Sequence, residues 1–227
     1  MGTDDQHKKR KSRNTRRKRI EQKSVLIALE DTKSSKYYFE KLLQDKKLTG
    51  QVIFAKHIGT DPENVVKAIV EHERKNPTHK YEKKWAVIDR DDWSKQQINE
   101  AIKKAKELGL CIAISNEAYE LWILLHFQTI TRYTPRAELN SKLKTIFKDR
   151  FGIDYSKSSQ DIYGFTVGLQ VQAISNAKEL VKMHIRNNGE LNPCENNPLS
   201  MIFQLVECLN SLYEKDKQCP CFPLRGV

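Results

Sequence analysis

The sequence predicts an α/β fold, a parallel sheet flanked by helices, followed by a helical C-terminal part. Two observations predict it. Between residues 24 and 115, short apolar runs rich in β-branched side chains alternate with amphipathic stretches. Strand-like runs separated by helical stretches of roughly 10–15 residues argue for parallel βαβ units. From residue 116 onward the apolar spacing turns helical, with no clear strand run.

The elements follow in order. SVLIALE (24–30) reads as a buried strand, and Ser34 as the cap of a helix carrying Tyr37, Tyr38, Leu42 and Leu43 on one face. QVIFAKHI (51–58) is a second strand, broken by the turn GTDP. Pro62 suits the first turn of the next helix, whose Val65, Val66, Ile69 and Val70 share a face. KKWAVIDRD (83–91) is a third strand. Ser94 with Gln97 makes a capping box for the helix after it, which Gly109 ends. CIAIS (111–115) is the fourth strand. NEAYELWILLHF then reads as a buried helix, and amphipathic helices follow over 135–151, 169–186 and 199–215, while 152–168 carries no clear signal.

With 227 residues there is room for one sizeable domain. We divide it into a basic tail (1–23), an α/β core (24–127) and a mainly helical part of the same domain (128–227). Net charge is +11, but the tail holds ten Lys and Arg against three acids, so +7 lies there and +4 in the remainder. Lys8, Lys9, Arg10, Lys11, Arg13, Arg16, Arg17, Lys18 and Arg19 form a dense basic arm without apolar periodicity. Such an arm can dock on nucleic-acid phosphates by releasing counterions, the other reading being a solubilising tail with no specific role. The chain has no apolar run long enough for a membrane span and no apolar signal core. The expectation is a cytoplasmic protein without a membrane partner. Five cysteines, an odd number, predict reduced thiols and no disulfide framework. Cys194, Cys208, Cys219, Cys221 and His184 lack the usual zinc spacing, and Cys208 reads as core.

In an open parallel sheet, ligands bind beyond the carboxyl ends of the strands. Glu30 closes the first strand there, and Asp89 and Asp91 close the third. Residues two apart on a strand share a side, so the two aspartates point together while Arg90 points away. Carboxylates so placed repel each other unless a cation neutralises them, and Mg²⁺ takes oxygen ligands. Spacing alone leaves a second reading open, an exposed strand-to-helix turn in which Asp91 or Asp92 caps. Trp122 reads as core. His126, at a helix end near the same edge, suits either phosphate binding or a structural hydrogen bond, and Ser115 and Asn116 either the site or a helix cap.

A Glu after one apolar strand and Asp-x-Asp after a later one resembles the toprim domain of topoisomerases, primases and OLD-type nucleases. More narrowly, the chain resembles the RloB family of bacterial proteins. The stretches that carry this are LIALEDTKSSKYYFEKL (26–42), GTDPENVV (59–66), WAVIDRDD (85–92), SNEAYELWILLHF (115–127) and NNPLSMIFQLV (196–206). The resemblance implies a toprim-like sheet and a nuclease site using Mg²⁺ or Mn²⁺. It also implies a setting in anti-phage or restriction loci, beside an ABC/AAA-type ATPase. Glu30 would be the toprim glutamate, a metal ligand or general acid/base, Asp89 and Asp91 the metal-binding pair, and Glu120 and His126 further catalytic candidates. Related proteins carry Gly after the first Glu and a second acid five residues on; here those positions are Asp31 and Ser35. The expected function is a metal-dependent nuclease acting on DNA or RNA, including tRNA, in abortive-infection defence. The alternative is a non-catalytic nucleic-acid- or partner-binding module with a degraded toprim site.

Overall fold

The computed structural model describes residues 24–214; the basic arm and the pair Cys219 and Cys221 lie outside them. Four parallel strands form the sheet: β1 (Val25–Leu29), β2 (Val52–Phe54), β3 (Lys83–Asp89) and β4 (Cys111–Asn116). A two-residue strand, β5 (Leu199–Ser200), joins β4 antiparallel, giving the order β2-β1-β3-β4-β5. Sequence reading missed β5, placing Leu199 at the start of a helix, because two residues carry no alternation. That helix, α8, starts later, at Ile202–Asn210.

Both faces of the sheet are covered. Successive residues of β1 point to opposite sides, so Val25, Ile27 and Leu29 enter one core and Leu26 and Ala28 the other. The second core is closed by α2 (Pro62–Lys75) and α3 (Lys95–Glu107). The first is larger and holds α1 (Ser34–Asp45), α4 (Glu120–Leu125), α5 (Arg136–Phe151), α6 (Ile162–Thr166) and α7 (Gln170–Asn188), together with α8. One continuous apolar cluster therefore runs from the early strands through the late helices, joining 24–127 to the part that follows.

Local chemistry sets most boundaries. Ser94 and Gln97 form the reciprocal capping box of α3, and Gly109 takes the left-handed conformation (φ +65°) after it. Asp61 caps α2 ahead of Pro62. At α1 the cap is Asp31, not Ser34: its carboxylate accepts from the Lys33 and Ser35 amides (2.7 and 3.1 Å) and from the Ser34 hydroxyl (3.1 Å). Ser115 and Asn116 cap nothing. The Asn116 amide donates to the Pro193 and Cys194 carbonyls, and Ser115 lies 3.4 Å from Ser200, so both tie β4 to the segment bearing β5. Cys111 and Cys208 are disulfide-bonded, which corrects the expectation of reduced thiols; both are buried in the larger core. Among the described residues no helix is long and apolar enough to cross a membrane.

Candidate active site

At the carboxyl edge of the sheet opens a cavity of about 580 Å³. Glu30, one residue beyond β1, and Asp89, the last residue of β3, stand side by side there and are both buried. Glu30 continues the ladder in an unusual way. Its amide donates to the Val87 carbonyl (3.1 Å), but its carboxylate, not its carbonyl, receives the Asp89 amide (2.6 Å). The freed carbonyl accepts from His57 (2.9 Å), and the second carboxylate oxygen accepts from the Trp93 indole (3.2 Å). A side chain held by two donors on separate elements has one orientation.

Asp91 faces the same cavity, as alternation suggests, but by another route. The strand ends at Asp89, and Asp91 sits in the left-handed region (φ +36°), held by its amide on the Glu117 carbonyl (2.8 Å). A non-glycine residue there costs about 1 kcal/mol of backbone strain, so the segment is shaped to aim this carboxylate. Arg90 points away, donating to the Cys194 and Asp91 carbonyls and to that of Trp93. Glu120, the first residue of α4, brings a fourth acid and is 1% exposed.

Two cations answer these acids. Arg136 lies 2.6 Å from Asp91 and Lys157 2.7 Å from Glu120. Burial pushes Glu30 up to about 7, against the pull of the Asp89 amide and Trp93, with the Asp91 and Asp31 charges adding to the rise. Burial also raises Asp89 well above the carboxylate range, with Glu30, Glu120 and Asp91 contributing. Asp91 is raised by burial and restrained by Arg136. Carboxylates whose neighbours push their proton affinity upward are a mark of functional sites.

The donor set fits a hard divalent cation. Glu120 Oε2 is buried without a hydrogen-bond donor, and Asp91 Oδ1 meets only the Arg136 ion pair. Among the described residues no three His, Cys, Asp or Glu side chains form a ready cage. Mg²⁺ needs none, since it keeps waters and binds through one or two carboxylates plus substrate phosphate. Asp31 also lines the cavity, with both carboxylate oxygens accepting hydrogen bonds at the start of α1. His184 and Cys194 hydrogen-bond elsewhere, to the Pro198 carbonyl and to Asn99.

Glu30, Asp89, Asp91 and Glu120 thus converge on one cavity; His126 does not. It lies in the aromatic core, 1% exposed, donating through Nδ1 to the Trp122 carbonyl (2.9 Å), with Nε2 3.5 Å from the Tyr38 hydroxyl. Burial lowers it to about 4, so it is a neutral packing group. The sequence reading missed Arg136, Lys157, Trp93 and His57 among the lining residues. Arg136 left one trace: a cation at a helix N-terminus opposes the helix dipole, and a distant acid explains it. Lys157 falls where periodicity is silent.

A family model, described as RloB-like protein, matches residues 25–209. The chain belongs to the RloB-like protein family. The match begins at β1 and ends within α8, so it takes in every acid of the cavity. No curated protein and no solved structure matches the chain.

Proposed function

We propose that this RloB-like chain is a toprim-type phosphodiesterase that hydrolyses nucleic acid with a divalent metal. The convergence of four carboxylates from three separate segments on one cavity carries this reading. One or two of Asp89, Asp91 and Glu120, together with substrate phosphate, would hold Mg²⁺ or Mn²⁺, which when bound neutralises the scissile phosphate and the departing oxygen. Glu30, with its proton affinity near neutrality, is suited to take a proton from attacking water or return one to the leaving oxygen. Trp93 and the Asp89 amide fix which way that carboxylate faces. Arg136 and Lys157 are each about 40% exposed, close enough to the opening to receive a phosphate as well as an acid. Resemblance to defence-locus proteins supports a role as an anti-phage effector working beside an ABC/AAA-type ATPase.

A second reading has one specific observation in its favour. Asp91 and Glu120 are already paired with protein cations, as in a module that binds phosphates without cutting. Purified protein with Mn²⁺ and single-stranded, duplex and transfer RNA substrates separates the two. Cleavage by wild type that Asp89→Asn abolishes, together with a metal-dependent rise in Tm lost in the same variant, supports the enzyme. Identical behaviour of the two proteins in both measurements overturns it.

A further inference from the structure

Beside the acidic cavity lies a second one of about 350 Å³ that shares Asp91 as a wall. Tyr133 lines it and is 62% exposed, far more than a ring of that size needs to be. The ring is nevertheless tethered. Its hydroxyl donates to Glu117 Oε1 (3.0 Å), and Glu117 Oε2 receives the Arg136 amide (2.7 Å). Arg136 in turn pairs with Asp91. One short chain of contacts therefore fixes an exposed aromatic face relative to the acid that both cavities share. The amides in the wall have no free hydrogen-bonding role to offer a ligand: Asn116 bonds the Pro193 and Cys194 carbonyls and Asn197, while Asn197 accepts from the Thr134 amide. Arg90 and Lys95 also line it, but Arg90 is spent on backbone carbonyls and Lys95 pairs with Glu195 (2.5 Å), so among the described residues the wall offers a stacking face and no uncommitted cation.

An anchored, exposed aromatic face beside amides engaged within the protein suits a nucleobase taken by stacking, with no sequence readout. We propose that this cavity is a base subsite in which Tyr133 stacks on the nucleotide next to the scissile phosphate, so that the substrate is single-stranded or locally unpaired. The inference rests on the nuclease reading, since it places the subsite relative to Asp91. A duplex base has both faces covered by its neighbours and offers Tyr133 none. Tyr213 provides an internal control. It is 61% exposed and likewise tethered, its hydroxyl donating to the Lys47 carbonyl and accepting from Gln51, but it sits beside the residues leading into β2, at the amino edge of the sheet.

The test measures binding of the full chain, in EDTA, to fluorescent single-stranded and duplex oligonucleotides of equal length. With cleavage silenced, failure of the nuclease reading leaves the measurement intact. Tyr133→Ala should weaken single-strand binding about tenfold, the loss of one stacked base, and leave duplex binding unchanged. Tyr133→Phe and Tyr133→Trp keep a ring but lose its tether, so each should weaken single-strand binding less than Tyr133→Ala does, while Tyr213→Ala should stay within about twofold of wild type. Unchanged single-strand affinity in Tyr133→Ala overturns the subsite. So does an equal loss on duplex, or a loss in Tyr133→Trp as large as that in Tyr133→Ala.

Discussion

Glu30 carries a carboxylic acid where a strand would normally present a carbonyl, and its titration follows from that. Its proton affinity rises from 4.5 to about 7, chiefly through burial, and it is only 8% exposed. A carboxyl raised in the folded state contributes stability fully below its unfolded value. That contribution is lost as pH rises through the folded value. Without metal, the protein should therefore lose about 3 kcal/mol between pH 4.5 and 7 from this one group. Thermal melts in EDTA across that range should fall with pH, and Glu30→Gln should flatten the fall. A slope that the substitution leaves unchanged would mean the proton resides elsewhere. Asp89 is raised in the same direction and adds to the slope, so the expected change is a reduction and not its complete removal.

At the scale of elements, legibility in the sequence tracked the range of the interactions involved. The helix 62–75 is legible because Asp61, Pro62 and the apolar Val65, Val66 and Ile69 act within a few positions of one another, although Val70, placed on the same face by spacing, is exposed. The helix at 94–109 was read nearly as well from Ser94, Gln97 and Gly109. The capping box should contribute about 1 kcal/mol, so Ser94→Ala should lower stability in urea by that amount without altering metal response. A loss of metal response would show that α3 positions the site and not merely the core. Glu30, Asp89 and Asp91 were legible because strand ends in a parallel sheet predict a location. Arg136 and Lys157 were not, since each is defined by an acid 45 or 37 residues away. β5 was illegible because two residues show no period, and His126 was misplaced because its partners, Tyr38 and the turn at Trp122, meet only in the folded core.

For the whole molecule, charge is divided between an arm and a domain. Residues 1–23 hold +7 of the total +11. Deleting them should leave the domain folded, judged by an unchanged melt, and weaken affinity for nucleic acid. The dependence of binding on salt should also become shallower, by roughly 0.9 in log–log slope for each duplex phosphate the arm neutralises. An unchanged slope would assign binding to the domain alone. Catalysis, measured at saturating substrate, should survive the deletion, since every acid of the cavity lies at or after Glu30.

The separation of Arg136 and Lys157 from the acids they pair with also sets a schedule for biosynthesis. All four carboxylates have left the ribosome once Glu120 emerges, whereas Lys157 follows 37 residues later. At typical elongation rates that interval is roughly two to seven seconds. During it a collapsed N-terminal half would bring together acids whose counter-charges have not been made, so the compact form is disfavoured. Truncated products ending before residue 136 contain all four of these acids but neither Arg136 nor Lys157.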